Sequence, residues 1–207
     1  MELVKEIIRS EKLGKSFYLR DPLTVARDLL GKIFVKKEKN NILLGRIVEV
    51  EAYDGAIDES AHSYIGKTKR NAVMFEEGGL LYVYFTYGVH FCANVVTGKK
   101  DEGTAVLLRA FEPLNNFELL AQRRFGKKDI TLKEKINLTN GPGKICQAFG
   151  ISREENGESL LGDKIYILDS VEVPENKIVQ TTRIGIKKST ELPWRFYISD
   201  NPYVSRK

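Results

Sequence analysis

The chain has 207 residues, of which 42% are hydrophobic and 29% charged, with a net charge of +5 and a sequence pI near 9.0. This length and apolar content suffice for one domain with a buried core, and no apolar run approaches the roughly 20 residues that a membrane-spanning helix needs. The N-terminus has no apolar stretch as long as that of a secretion signal, so we expect a cytoplasmic protein, or a nuclear one in a eukaryote.

The predicted elements begin with two helices and a hairpin. Residues 3–13 have the pattern of a short amphipathic helix, and Asp21-Pro22 supplies an N-cap and a first-turn proline for a second helix that ends at Gly31. The segments IFVKK and ILLGRIVEVEAY, joined by the turn-like EKNN, predict an antiparallel hairpin. Residues 54–79 are polar and punctuated by glycine, which is typical of a binding loop.

The second half of the chain alternates strands with short helices. Strands are predicted over residues 80–85, 89–96 and 104–111 and in KIYIL, KIVQTTRIGI and WRFYI, and helices over 117–124 and after Gly143. Strands joined by short turns, with helices collected at the N-terminus and in the middle, favour an α+β fold. We expect a single domain over residues 1–207, with a curled, mainly antiparallel β-sheet flanked by helices.

The cysteines and histidines give no sign of a metal site. Cys92 and Cys146 each lie inside an apolar run, which indicates buried free thiols rather than a disulfide. With the two histidines they form no CxxC or HxxxH spacing, so the sequence predicts no structural zinc site. The positive charge favours an anionic partner, although charge clusters are most often solvated surface.

The strand RIVEVEAY concentrates polar groups on one face. Alternation along an extended strand would place Ile47, Glu49, Glu51 and Tyr53 together, with Val48 and the residues that alternate with it on the core side. Two carboxylates beside a tyrosine at a strand end are suited to general-base chemistry. Salt bridges to surface lysines explain the same pattern equally well.

Other polar residues lie in apolar or glycine-rich surroundings. Asn94 is either a satisfied structural hydrogen-bonder or a group that reads a ligand, and Arg109 needs a partner, for which a buried carboxylate is the simplest choice. Gly66-Lys67 is no phosphate loop, because the glycine required five residues earlier is Ala61. The run GPGK, which ends at Lys144, can still offer backbone N–H groups and a lysine to a phosphate.

Longer blocks of the sequence resemble a known enzyme family. GRIVEVEAYDG, DESAHSYIGKTKRNAVMF, GGLLYVYFTYGVHFCANVV, GTAVLLRAFEP, NGPGKICQAFGI and PWRFYI occur in the same order as in the alkyladenine (3-methyladenine) DNA glycosylases. The similarity runs from about Asp21 to Ile198. It implies a monofunctional enzyme that flips damaged purines (3-methyladenine, 7-methylguanine, hypoxanthine) out of double-stranded DNA and hydrolyses their N-glycosidic bond, initiating base excision repair.

The resemblance also implies roles for single residues around the reacting bond. Glu51 matches the general base that activates water. Tyr53 and Tyr84 match the aromatic residues that sandwich the flipped base, and His62 matches a histidine that contacts the lesion. Electron-poor purines stack well and leave readily, so a single carboxylate base suffices without a lysine nucleophile, a metal or a cofactor.

Further matches concern selection of the base and contact with DNA. Asn94 matches a pocket residue that helps to reject guanine, and Arg109 matches one that positions the flipped nucleotide. Tyr87 matches the wedge that fills the space left in the duplex, whereas Tyr82 matches no such role and is expected to be structural. The candidates for contact with the DNA backbone are Lys67, Arg70 and Lys144.

Two departures from the family and two alternatives stay open at this point. His90 stands where some relatives carry an aromatic residue, and the N-terminal extension of the animal enzymes is absent, which suggests a bacterial-type protein. The chain could instead be a nucleic-acid-binding module that has lost the chemistry, or a similar curled sheet with an unrelated function. We expect a monomer with no contact to membranes.

Overall fold

A computed structural model of the chain describes residues 7, 9–86 and 88–205. The described strands are β1 (Ile33–Glu38), β2 (Asn41–Asp54), β3 (Leu81–Thr86), β4 (His90–Thr97), β5 (Thr104–Pro113), β6 (Ile165–Leu168), β7 (Ile178–Thr181) and β8 (Arg195–Ile198). The described α-helices are α1 (Lys15–Tyr18), α2 (Pro22–Leu29), α3 (Phe117–Phe125), α4 (Leu132–Ile136) and α5 (Pro142–Phe149). The predicted α+β class is confirmed.

The strands form one eight-stranded sheet that is antiparallel at every described pairing. Its main path runs β3-β4-β5-β2-β1-β6, and β7 is attached through β8. One edge of β2 pairs with β5 along most of its length, whereas the other edge pairs first with β1 and then, from Glu49 to Glu51, with β8. Because β2 changes partner along one edge, the sheet curls around its second half, as predicted.

A β-bulge interrupts β2 where the two glutamates begin. The register against β5 shifts between Ile47 and Glu49 and again before Val50. Ile47 packs in the main core together with Val50, whereas Val48 packs on the other side with Tyr203. The strict alternation predicted for this strand, with Ile47 beside the glutamates, is therefore wrong, because the extra residue of a bulge reverses the facing of the residues before it.

The helices cover one face of the sheet and bury the main core there. Helix α2 packs on β2 and β5, α5 packs on β4 and β5, and α3 packs on α5. The side chain of Asp21 caps α2 by accepting from the N–H groups of Leu23 and Thr24, as predicted. Three aromatic rings, those of Phe34, Phe111 and Phe149, meet at the centre of the core. The opposite face of the sheet is thus left for a site.

Local predictions differ from the structure mainly in short elements. Five of the eleven residues of the helix expected over 3–13 lie outside the described residues. Ile7 is helical, but residues 9–13 are not and include a bridge from Lys12 to Leu168, so the predicted helix is wrong at its C-terminal end. Helices α1 and α4 were not predicted, and KIVQTTRIGI is a strand only over Ile178–Thr181. In the part of the chain that the structure describes, no helix is both long and apolar enough to cross a membrane.

Candidate active site

A cavity of about 550 Å³ opens on the face of the sheet opposite the helices. Its floor consists of side chains from β3, β4 and β5 that alternate with core residues. Its walls come from the segment after β2 and from a loop near the C-terminus, and their members are Glu59, Ser60, His62, Met74 and Ile184 to Lys188. Pro142, the first residue of α5, completes the rim.

Glu51 is fully buried beside this cavity. Its Oε2 accepts hydrogen bonds from the hydroxyl of Tyr53 at 2.9 Å and from Nη1 of Arg109 at 3.2 Å, and its Oε1 accepts one from the backbone N–H of Ile184 at 2.7 Å. All three donors belong to residues of the cavity wall. Since a carboxylate has about four acceptor positions, the described donors leave one position on Oε1 for a further donor.

Glu49 is also fully buried, and it accepts four hydrogen bonds from the described residues, one more than Glu51. Its Oε1 accepts from Nε of Arg109 at 3.1 Å, from Nε of Arg195 at 2.7 Å and from the hydroxyl of Ser205 at 2.9 Å. Its Oε2 accepts from the backbone N–H of Ser205 at 2.6 Å. Glu49 therefore ties β5, β8 and the C-terminal segment together.

Arg109 joins the two glutamates. Its side chain is buried and donates through Nε to Glu49 and through Nη1 to Glu51. Burial opposes its charge, but the carboxylates of Glu51 and Glu49 outweigh that effect and raise the pKa of Arg109. Both glutamates take arginine partners, so the alternative of salt bridges to surface lysines is wrong.

The aromatic residues expected to sandwich a base all line the cavity. The rings of His62 and Tyr84 meet edge to face, with centroids 4.4 Å apart. Burial, with a smaller contribution from Glu51, raises the pKa of Tyr53, and burial likewise raises that of Tyr84. Both hydroxyls are therefore protonated at neutral pH, which keeps Tyr53 a hydrogen-bond donor to Glu51.

His62 forms a hydrogen bond with Tyr82. The Nδ1 atom of His62 lies 3.1 Å from the hydroxyl of Tyr82, which is buried and lines the same cavity. Burial, assisted by the charge of Arg70, lowers the pKa of His62 to about 4, so its ring is neutral at pH 7. Tyr82, which the sequence indicated to be structural, thus orients a residue of the candidate site.

Asn94 lies in the cavity wall and is almost fully buried. Its Nδ2 donates to the backbone carbonyl of Tyr82 at 3.1 Å. This bond makes Asn94 a satisfied structural hydrogen-bonder, one of the two explanations that the sequence left open. The bond fixes the orientation of the amide within the wall, so it is compatible with the other explanation as well.

Two of the candidates for contact with DNA, Arg70 and Lys67, are exposed. Arg70 donates to the carbonyl of Phe85 at 3.4 Å, and its guanidinium lies 5.5 Å from the centroid of the Tyr84 ring. Lys67 forms an exposed ion pair with Glu76 at 3.2 Å. Exposed pairs of this kind contribute about 0–1 kcal/mol, so a phosphate can compete with Glu76 for the lysine.

The third candidate, Lys144, is more constrained. Its Nζ donates to the side-chain carbonyls of Asn137 at 3.2 Å and Asn140 at 2.7 Å, and partial burial lowers its pKa. At the same helix start, a Cβ placed on Gly143 would meet Cγ of His90 at 3.0 Å. His90 is exposed and packs against this glycine, so it borders the rim without entering the cavity.

Tyr87, the expected wedge, lies outside the described residues. Its surroundings are described: Gly88 has φ of +67°, and Phe85 and Val89 are 41% and 71% exposed. The end of the β3–β4 hairpin therefore presents apolar side chains to water close to Thr86, which lines the cavity.

Sequence reasoning missed the contribution of the C-terminal third to the site. Ile184 supplies a backbone N–H to Glu51, and Ser205 supplies both of its donors to Glu49. A backbone N–H is common to every residue except proline, so the side chain of Ile184 carried no signal of this role. Among the described residues, no group of three or more histidines, cysteines, aspartates or glutamates could hold a metal ion.

The chain is similar to known proteins over nearly its whole length. The sequence model of the family described as methylpurine-DNA glycosylase matches residues 16–202. A relative in Clostridium botulinum, provisionally named a 3-methyladenine DNA glycosylase, is 48% identical and covers 94% of this chain and 99% of its own. Relatives with the same provisional name in Clostridium novyi and Carboxydothermus hydrogenoformans are 48% and 46% identical over 95% and 94% of this chain, covering 100% and 99% of their own. The chain therefore belongs to the methylpurine-DNA glycosylase family, and it is a DNA N-glycosylase of DNA repair.

Proposed function

We propose that the protein flips damaged purines, of the class of 3-methyladenine, 7-methylguanine and hypoxanthine, out of duplex DNA and hydrolyses their N-glycosidic bond with a water activated by Glu51. The observation that carries this proposal is the hydrogen bonding of Glu51. A fully buried carboxylate beside an aromatic cavity keeps one acceptor position on Oε1 after three donors have fixed its orientation.

In the proposed reaction Glu51 acts as the general base. A water that donates to Oε1 of Glu51 attacks the sugar carbon as the damaged base leaves, and the carboxylate takes its proton. General bases of this kind contribute about 10²–10⁴ in rate. Arg109 and the N–H of Ile184 hold the carboxylate in one orientation, and holding a base in the reactive orientation lowers the barrier.

The cavity supports extrusion of a base. Taking a nucleotide out of the duplex costs a few kcal/mol, and stacking on an aromatic ring returns about 1–3 kcal/mol per base. Tyr53, Tyr84 and the neutral ring of His62 all face the same volume of about 550 Å³, which is large enough for a purine. Positively charged purines gain further from the electron-rich faces of the tyrosines.

Two further roles are part of the proposal. Asn94, held by the carbonyl of Tyr82, would clash with the exocyclic amine of guanine and so select against undamaged guanine. Tyr87 would occupy the place of the extruded nucleotide, and the exposed apolar side chains of Phe85 and Val89 on either side of it support this role.

Lys67, Arg70 and Lys144 would contact phosphates. The bacterial relatives support action in the cytoplasm, and we propose that the protein acts as a monomer, which sedimentation can check.

The test is single-turnover release of free base from matched duplexes that carry one hypoxanthine, 3-methyladenine, 7-methylguanine or undamaged purine. Wild-type protein is expected to free the damaged bases, and Glu51→Gln to free none while binding the same duplexes. Glu59→Gln is the matched control, because Glu59 is a cavity-wall carboxylate paired with Lys188 at the surface. Borohydride trapping should yield no covalent adduct, since Glu51 rather than a lysine drives the reaction.

Other results would favour the alternatives. Binding without release from any lesion would leave a nucleic-acid-binding module, and a borohydride-trapped adduct would point to an amine nucleophile such as Lys187 in the cavity wall.

Tyr87→Ser should slow release more from paired lesions than from lesions in single strands, and an equal loss of rate on both substrates would contradict the wedge role. Affinity for undamaged duplex should fall steeply with salt, because phosphate contacts dominate non-specific binding.

A further inference from the structure

The two loops that wall the cavity are fastened to each other by one buried ion pair. Asp58 and Arg183 form a fork in which Nη1 and Nη2 of the arginine donate to the two carboxylate oxygens, with 2.9 Å between Nη2 and Oδ1. Both side chains are fully buried, and neither belongs to the cavity lining. Nη2 also donates to the carbonyl of Ser189 at 3.2 Å, at the far end of the same loop. We call this arrangement the Asp58–Arg183 clasp.

The guanidinium of Arg183 lies between two aromatic rings. It is 4.7 Å from the centroid of the Tyr53 ring and 5.3 Å from that of Trp194. Its Nε is buried and has no hydrogen-bond partner among the described residues, so the ring faces are its principal contact on that side. Because Arg183 covers one face of Tyr53 and does not line the cavity, the other face is the one that the cavity exposes.

The clasp is also connected to Glu51 through two neighbouring residues, one on each segment of the chain. Nη1 of Arg183 donates at 3.0 Å to the carbonyl of Ala52, the residue after Glu51 in β2. Ile184, the residue after Arg183, donates its N–H to Oε1 of Glu51. One guanidinium therefore fixes the strand that carries the carboxylate, the N–H that orients it and the ring of its second donor, Tyr53.

We propose that Asp58 and Arg183 are positioning residues, which act on the reaction through Ile184 and Tyr53 and hold Glu51 in its reactive orientation. This inference rests on the proposed function, in which Glu51 is the base. A displacement of about 1 Å in a reacting group can cost about 10²-fold in rate, and the clasp restrains two of the three donors to Glu51, the N–H of Ile184 and the hydroxyl of Tyr53.

The test removes both charges at once, in Asp58→Asn combined with Arg183→Met, so that no buried charge is left alone. The single-turnover rate of base release at saturating protein is expected to fall about 10–100-fold, while the Kd for the damaged duplex changes less than about threefold.

Two further variants separate positioning from general loss of structure. Arg183→Lys keeps the charge but not the fork and should recover part of the rate. Glu38→Gln combined with Arg123→Met removes another forked ion pair, outside the cavity lining, and should leave the rate unchanged. Trp194 is the only tryptophan of the sequence. Its quenching by acrylamide should increase in Asp58→Asn combined with Arg183→Met, because the guanidinium that lies against the ring is removed.

These measurements distinguish failure of the clasp inference from failure of the proposed function. If wild-type protein frees base and the clasp variants do so at the same rate, or lose rate only through a weaker Kd, the clasp is not a positioning device, although the proposed function stands. An equal loss in the Glu38/Arg123 control overturns it as well. If wild-type protein frees no damaged base while Glu51→Gln behaves identically, the proposed function fails and the clasp inference fails with it.

Discussion

Glu49 and Glu51 lie two residues apart on one strand, are both fully buried and share one arginine, yet their hydrogen bonds suit them to different tasks. Glu49 accepts four hydrogen bonds, from two guanidinium groups and from both donors of Ser205, and these donors tie it to β5, β8 and the C-terminal segment. Glu51 accepts from three donors and keeps one position. The first carboxylate is fixed as part of the fold, and the second is oriented but still able to accept a proton.

The difference arises from what surrounds each carboxylate and not from the glutamates themselves. Glu49 follows the bulge and meets the C-terminal segment, whereas Glu51 meets the cavity wall. Arg109 connects the two, so the fixed glutamate also restrains the partner of the reactive one. Substitutions at the two positions should therefore give opposite patterns of activity and stability.

Glu51→Gln is expected to have the largest effect, on rate. Release of damaged base should fall about 10²–10⁴-fold, because the amide cannot take a proton from water. The free energy of unfolding should fall less than in Glu49→Gln, because Arg109 keeps the carboxylate of Glu49 as a partner and the amide oxygen can still accept from Ile184. Single-turnover kinetics and urea unfolding measure the two effects. A variant with wild-type rate would contradict the role of Glu51.

Glu49→Gln should show the opposite pattern. The amide would point its NH₂ group at donors whichever way it turned. Arg109 and Arg195 would also lose the negative charge of Glu49. Removing one partner of a buried ion pair costs about 3–5 kcal/mol, which urea unfolding would report. Base release should slow less than in Glu51→Gln. Glu112→Gln, a partly exposed carboxylate on β5, is the control, and equal stability of both variants would argue against a fixed role for Glu49.

The sequence could predict much of this region, but not the contrast between the two glutamates. The strand, the capped helix after Asp21 and the face shared by Glu49 and Glu51 follow from local pattern. The bulge before Val50 does not, because Val48 and Glu49 carry no turn residue that would signal it. The donors from Ile184 and Ser205 come from more than 130 residues away along the chain, and their contacts depend on how the sheet curls.

His62→Phe tests how much His62 contributes to the pH dependence of stability. His62 is neutral in the fold down to about pH 4, whereas an unfolded histidine takes a proton below about pH 6.5. Between these values the unfolded state binds more protons, so stability is lost as the pH falls, by about 3 kcal/mol. Urea unfolding measured from pH 7 to 4 should show a smaller loss in the variant. A loss as large as that of the wild type would contradict a neutral His62 in the folded protein.

Ser205→Ala should have the smallest effect, and it tests the hydrogen bonds that hold Glu49. It removes the hydroxyl that donates to Glu49 at 2.9 Å and that accepts from Nη2 of Arg109 at 3.4 Å, but the backbone N–H of residue 205 still donates to Glu49. One lost hydrogen bond costs about 1 kcal/mol, so urea unfolding should show a loss of that size. Base release should change less than about threefold, because Glu51 keeps all three of its donors. Ser205→Thr retains the hydroxyl and should match the wild type. A rate loss in Ser205→Ala as large as that in Glu49→Gln would mean that the C-terminal segment acts on the reaction directly, and the division between a fixed and a reactive carboxylate would have to be abandoned.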